Sequence, residues 1–470
     1  MEKKNNEPGV IQVVKIIWLE NIPSYANKFF YSLGFLSMIC FFLLVITGVV
    51  MVFFGPNWWF TTSLGTITRS IHLWAVQAFV VFVMLHVLIV FFSGGYRPPR
   101  RFVWVLGSLM FFLALMEAEF GYVLRDDFSS QWRSLQGADL YNGSGLGVII
   151  NNLNYAQIYG IHIVVIPLII IGLLFLHYAL VRLRGIAKPY KKEFPYRIVK
   201  ANHTVLFLRG IVLVCVIIIL ALIFPSPFLE PVTVKQIATE DPSLMATTLI
   251  SEINHSSDTA TYVDTIAPYQ FDTKQVYIDE PYQQYYATQQ NSINMLDLFN
   301  AEDKQMQESN LKAATTYFTN SKSLDTLPNL ENPAIPLISS LVLMGQSGLY
   351  EASLQHELNT GYNPTYVLRF LSDTGVLEDK ATKLGITTPQ YGMLQEENGK
   401  IPPGAWWLAP LGLMDNTILQ NDDNQDRDGA EIIGIFMLIF TAFPYIPLLN
   451  QLPDKLGVYK LIWKDKHINK

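Results

Sequence analysis

The sequence predicts an all-α membrane protein with six spanning helices and a large external insertion between the fifth and the sixth. Three observations predict it. Half of the 470 residues are hydrophobic and 15 % are charged, with a mean hydropathy of +0.26, which is a membrane rather than a soluble balance. Six apolar runs reach the roughly 18 residues that a helix needs to cross the hydrocarbon core. The segment from 225 to 430 interrupts them, and it is far too long for a bare connection in a compact domain.

The six runs are 31–54, 71–93, 103–124, 161–183, 206–224 and 431–449. The stretch before the first is charged and amphipathic, without a short apolar core and small-residue cleavage site, so no removable signal peptide is expected. Cys40 and Cys215 lie in two different apolar runs, which argues against a disulfide framework or a cysteine-based zinc site.

Basic residues fix the orientation. "GGYRPPRR" follows the second run, "VRLRGIAKPYKKEFPYRIVK" the fourth and "KLGVYKLIWKDKHINK" the sixth. With the Lys-containing N-terminus, all fall on one side if the helices alternate, and that side is expected to be cytoplasmic. The segment 225–430 carries 27 Asp and Glu against 10 Lys and Arg, the reverse bias, and is expected outside. Its scattered Tyr, Trp and Leu predict a partly folded lobe, with "TTLISEINHSSDTATYVDT" and "QNDDNQDRDGAE" as loose stretches.

Four histidines lie within the spans. His72 and His86 are on the second helix, and His162 and His177 on the fourth. Separations of 14 and 15 residues put each pair on one face to within roughly 40–60° and about 21–22 Å apart along the axis. Both helices run the same way, so His72 levels with His162 and His86 with His177. A lone intramembrane histidine usually hydrogen-bonds a neighbouring helix. Four at matched depths instead form two axial ligand sets for haem iron. Gly34 and Gly48 on the first helix, and Gly107 and Gly121 on the third, repeat the 14-residue spacing. Small residues let helices approach one another, and a glycine face also admits a flat, bulky group against the backbone.

These residues resemble the cytochrome b subunit of quinol-oxidising bc-type complexes, in a divergent prokaryotic form. The resemblance rests on the paired glycines, "TRSIH" at 68–72, "LHVLIVFFSGGYRPPR" at 85–100, "GYVL" at 121–124 and "YGIHIVVIPLIIIGLLFLHYALVRLRGIA" at 159–187. It covers residues 10–200. The 15-residue gap between His162 and His177 is similar to plastid-type and several bacterial forms, the mitochondrial gap being 14. The resemblance implies a four-helix dihaem bundle in 1–200, a fifth helix in 201–230 and a divergent C-terminal segment with the sixth helix in 401–470; the external insertion lobe in 231–400 lies outside it.

The resemblance further implies two b-type haems. His72 and His162 would hold a low-potential haem on the outer side, and His86 and His177 a high-potential haem near the cytoplasm. Arg69 would pair with a haem propionate; otherwise it is a membrane-surface anchor. The implied activity is quinol oxidation, with electrons passing across the membrane and to a Rieske iron–sulfur protein, then to a cytochrome or other acceptor. The implied setting is a homodimeric complex in the lipid of a prokaryotic cytoplasmic membrane, multi-pass, both termini cytoplasmic. No nucleic-acid partner is expected. A second possibility is a dihaem membrane anchor that links another redox enzyme to the quinone pool; a third, a transporter or receptor, requires the histidine pattern to be accidental.

The chain departs from the family at four places. Aligning Trp406 and Trp407 on the aromatic pair of a Pro-Glu-Trp-Tyr motif puts Ala405 where the family has a proton-accepting Glu. "GYVL" is followed by Arg125, Asp126 and Asp127 in place of Pro-Trp, and Gln157 stands for a family Arg. Ser32 stands where some plastid-type relatives tether another haem through Cys. Glu117 and Glu119, near the outer end of the third helix, are the candidate replacement proton acceptors. The alternative for them is an ion pair with Arg125 or Arg69, or exposure at the interface. His203, His255, His356 and His467 are read as ordinary polar residues.

Overall fold

A computed structural model describes residues 21–189, 194, 196–261, 272–285, 293–321, 323–356, 365–387, 403–422 and 425–463. The Lys-containing N-terminus and His467 lie outside the described residues.

Among the described residues, six helices are long and apolar enough to cross a membrane. They are α1 (Leu33–Thr61), α2 (Ser63–Phe92), α3 (Arg101–Val123), α5 (Tyr155–Arg184), α6 (His203–Ile223) and α16 (Gln425–Ala442). The first ends as a spanning segment at Gly55, whose φ of +74° and the following Pro56 break the helical hydrogen bonding. The sixth starts six residues before the apolar run expected at 431 and ends at Ala442, because Pro444 turns the chain into a 3₁₀ turn over Phe443–Tyr445. A strand pair, β1 (Asn21–Pro23) against β2 (Ile198–Lys200), ties the entry of α1 to the entry of α6.

One irregularity explains the unequal histidine spacing. In α5 the turn Ile161–Val165 is π-helical, and it contains His162. Pro167 follows within the first turn of the α-helical remainder and has no N–H to close an ordinary turn. A π turn holds one residue more than an α turn, so the 15 residues from His162 to His177 advance about as far as the 14 from His72 to His86.

The connection 125–160 is itself helical. Asp127 caps α4 (Phe128–Gly143): its side chain accepts from Ser130 N, and Ser130 Oγ accepts from Asp127 N. The departure "RDDF" therefore starts a helix.

The insertion is an all-helical lobe with its own core. Its helices include α7 (Val234–Glu240), α8 (Pro242–Ile253), α9 (Met295–Ala301), α10 (Lys304–Asn320), α11 (Ala334–Ser347), α12 (Leu349–His356), α13 (Thr365–Asp373) and α14 (Val376–Leu384). Buried Met245, Leu249, Leu296, Leu337, Tyr350 and Phe370 pack together, and Phe128 at the start of α4 joins them. The stretch 247–253, expected loose, is helix, because Leu249, Ile250 and Ile253 face this core. From 425 "QDRDGAE" is likewise helix, the first turns of α16, while residues 262–265 and 423–424 lie outside the described residues. The lobe is bolted to α4: Phe128 N donates to Leu229 O, and Gln131 exchanges two 2.9 Å hydrogen bonds with Val232. After the lobe, Trp406–Leu408 and α15 (Ala409–Asp415) lead into α16.

Candidate functional site at the paired histidines

The four histidines and four glycines meet in a crossed pattern. A Cβ at Gly34 would stand 3.1 Å from His86 Cε1, and one at Gly48 3.5 Å from His72 Cε1. Across the bundle, a Cβ at Gly107 would stand 3.3 Å from His177 Cε1, and one at Gly121 3.0 Å from His162 Cε1. Gly34 and Gly48 of α1 thus back the two histidines of α2, and Gly107 and Gly121 of α3 those of α5. The shared 14-residue spacing has a cause: two antiparallel helices present matching points at matching depths. His72 and His162 lie within electrostatic range of each other, as do His86 and His177, which forms two levels. The level of His72 and His162 is the one nearer the lobe.

Hydrogen bonds orient the rings at that level. Thr47 Oγ1 lies 2.8 Å from His72 Nδ1, and its own proton goes to Leu43 O at 2.8 Å or Leu44 O at 3.2 Å. With the hydroxyl proton committed, Nδ1 donates and Nε2 is left as the basic nitrogen. His162 Nδ1 lies 3.1 Å from the Glu117 carbonyl oxygen, which can only accept, so this ring has the same tautomer.

The two candidate proton acceptors separate. Glu117 Oε1 is 3.0 Å from His162 Nδ1, and among the described residues Glu117 Oε2 is buried without a hydrogen bond. Glu119 turns to another face of α3, with Oε2 3.7 Å from Arg133 Nη1 on α4. Its ion-pair partner is Arg133, not Arg125 or Arg69: those guanidiniums converge on Asp127, at 2.7 and 3.8 Å, and both donate to Pro227 O. Arg69 is also stacked over Phe60, 4.8 Å from the ring centre, and only 8 % of it is exposed, so it is held inside the junction between bundle and lobe. Sequence reasoning missed Arg133 and Thr47. The Asp-x-x-Ser cap at 127–130 is the signal that would have revealed α4 and with it Arg133.

The tryptophan segment packs against the lobe-side half of α2 and α3. Ala405 and Trp407 are buried with Leu73, Val80 and Tyr122. Gln77 seats the segment: its Nε2 donates to Pro403 O at 2.8 Å, and its Oε1 accepts from Trp406 Nε1 at 2.8 Å. Ala405 is fully buried in this apolar cluster, a position that a carboxylate would occupy only at a high desolvation cost. The remaining departures are local substitutes. Gln157 ties the loop before α5 through Asn151 N and Ile149 O, and Ser32 Oγ accepts from Arg209 Nη1 at 2.5 Å.

A helical multi-pass membrane protein with intramembrane histidines paired at two depths is the class that this arrangement defines. The model of the family described as "Cytochrome b(N-terminal)/b6/petB" matches residues 77–231, which include His86, His162 and His177. Cytochrome b6 of Heliobacterium modesticaldum is 31 % identical over 204 residues, covering 39 % of this chain and 96 % of that protein. The cytochrome bc1 complex cytochrome b subunit of Mycobacterium tuberculosis is 38 % identical over 130 residues, 25 % of this chain and 24 % of its own. A solved structure titled "Hyperthermophilic respiratory Complex III" aligns over 69 % of this chain and 91 % of its own, with 17 % identity and a TM-score of 0.37. The chain belongs to the cytochrome b/b6 family, whose members bind haem.

The residues present fit that group. Among the described residues no cluster of three or more His, Cys, Asp or Glu could hold a metal ion by itself. Pairs of neutral imidazoles suit an iron whose other ligands come from a porphyrin, and the glycines leave room beside each ring.

Proposed function

We propose that this chain is the dihaem cytochrome b subunit of a respiratory quinol-oxidising bc-type complex. The observation that carries the reading is the crossed match of four glycines to four histidines at two depths. In this reading His72 and His162 hold one b-type haem and His86 and His177 the other. Haems held at these histidines would supply one-electron carriers at the two depths. The excess of basic residues in alternate connections supports an orientation with the lobe, and with it the His72 and His162 level, outside and both termini cytoplasmic. Residues 1–200 then form the dihaem domain, 201–230 the fifth helix, 231–400 the lobe and 401–470 the divergent C-terminal segment.

Quinol is the substrate, and the tryptophan segment on α2 and α3 is where its ring would lie. A quinol gives up protons as it gives up electrons. With Ala405 unable to accept one, Glu119 is the acceptor this reading favours over Glu117, because Glu119 projects near the α3 face that carries Leu115, Ala118 and Tyr122 under that segment. Arg133 would hold its carboxylate in place. Arg69 remains the candidate propionate partner, sharing its guanidinium with Asp127 and Pro227. The expected partners are a Rieske iron–sulfur protein, a cytochrome or other acceptor, a second copy of the complex and membrane lipid.

The buried, apolar setting of Ala405 favours a second reading, a dihaem anchor wiring a different redox enzyme to the quinone pool. Purification of the intact complex and its dithionite-minus-oxidised spectrum separate the two. Two b-type haems whose reduction by quinol requires an oxidised iron–sulfur partner support the first reading. Two haems reduced regardless of that partner support the second, and a colourless protein refutes both. Glu119→Gln should slow quinol oxidation with both haems retained; an unchanged rate removes Glu119 from the mechanism.

A further inference from the structure

We infer that Glu117 is a positioning residue that gives one histidine of the lobe-side level, and no other, a carboxylate partner. The inference rests on the reading of His162 as an iron ligand. Glu117 touches this ring twice: its backbone oxygen lies 3.1 Å and its carboxylate Oε1 3.0 Å from Nδ1. The carbonyl already suffices to fix the tautomer. The carboxylate adds negative charge at a nitrogen whose proton is shared between two acceptors.

The other three rings lack such a partner. His72 Nδ1 faces the neutral hydroxyl of Thr47. Among the described residues, no carboxylate forms an ion pair with His72, His86 or His177. The contact also occupies Glu117: among the described residues its second oxygen is buried without a hydrogen bond, and the imidazole is the polar group that meets this side chain. Nothing in the sequence spacing predicts it, since residues 117 and 162 lie on different helices.

The consequence follows from how an imidazole donates electrons. A carboxylate that accepts the Nδ1 proton increases the basicity of Nε2 and favours the more oxidised metal at the other side of the ring. The iron at the His72 and His162 level is therefore held at a lower potential than it would be without Glu117, while the iron at the His86 and His177 level is untouched. The two levels are set apart electrostatically by one side chain.

The test uses the intact complex purified with both haems. Redox titration of the two α-bands is carried out on the parent, Glu117→Gln and Glu117→Asp, with low-temperature electron paramagnetic resonance of the ferric haems as the second readout. Glu117→Gln is expected to raise the midpoint of the lobe-side haem alone by an amount equivalent to about a tenfold change in its reduction equilibrium, or about 59 mV for one electron, and to shift only that haem's resonance. Glu117→Asp, which keeps the charge, is expected to lie nearer the parent. Identical midpoints and resonances in Glu117→Gln and the parent overturn the inference, as does an equal shift of both haems. Should Glu117→Gln lose haem, a Glu117→Asp protein that keeps it at the parental midpoint supports the inference, and one that loses it equally or moves as far as an uncharged variant overturns it. His162→Leu separates this from the underlying reading: if it retains both haems, the ligand assignment itself has failed.

Discussion

Alanine substitution at the four glycines should produce a graded series whose order is set by distance. Two effects compete. Replacing Gly with Ala inside a helix gains roughly 0.8–1 kcal/mol of intrinsic propensity, whereas forcing a methyl group into a packed interior costs about 1–3 kcal/mol. At Gly121 the new Cβ would lie 3.0 Å from His162 Cε1 and 3.5 Å from Nε2, and the ring cannot swing away without breaking its contacts to Glu117. The clash should win there by up to about 2 kcal/mol, on the order of a tenfold loss of the haem-loaded form. Gly34 at 3.1 Å should behave alike, and Gly107 at 3.3 Å should be milder. At Gly48 the Cβ would meet His72 at 3.5 Å, an ordinary contact, so propensity should win and Gly48→Ala should be neutral or slightly stabilising. Haem per polypeptide and the thermal midpoint of the detergent-purified protein report the order. A Gly48→Ala protein as damaged as Gly121→Ala would refute the distance argument and leave a slot filled by something wider than the imidazole as the constraint.

Other consequences are equally specific. His72→Leu or His162→Leu should remove one b-type haem from the difference spectrum, and His86→Leu or His177→Leu the other, with each single variant retaining one. Thr47→Val takes away the acceptor of His72 Nδ1; leaving that buried donor unsatisfied should cost about 1–3 kcal/mol, read as faster loss of the lobe-side haem on dilution into detergent. Gln77→Leu removes the seat of the tryptophan segment and should speed amide exchange at 403–408 without altering the spectrum of the His86 and His177 haem. In the lobe, burial and the neighbouring Asp373 push the Glu252 carboxyl up to about 9, and burial raises Asp373 as well. A carboxyl raised in the folded state stabilises fully below its usual value near 4.5, and that stabilisation is lost as the pH climbs through about 9. The thermal stability of the lobe should therefore weaken with rising pH across that range, and Glu252→Gln should flatten the dependence.

Several features were legible because they depend on local periodicity alone. Apolar length marks a spanning helix, a spacing of 14 marks a shared face, and the excess of basic residues in alternate connections marks a side; none requires knowledge of which helix touches which. The six helices and the family followed from these. Boundaries set by a single Gly or Pro shifted: α1 breaks at Gly55, and α16 starts early because a helix can extend beyond its apolar stretch into polar sequence.

What only the tertiary structure decided is how residues remote in sequence meet. His162 and His177 stand 15 apart in the sequence, and it took the π turn at Ile161–Val165 to bring them into step with His72 and His86. The sequence places Glu117 and Glu119 two residues apart on one helix and so reads them as equivalents. Packing sends one to His162 on α5 and the other to Arg133 on α4. "RDDF" reads as a lost motif until Asp127 is seen capping α4 beneath two arginines. A helix periodicity fixes the direction in which a side chain leaves its own backbone. What it meets is fixed by the neighbouring helices, through contacts that no local pattern encodes.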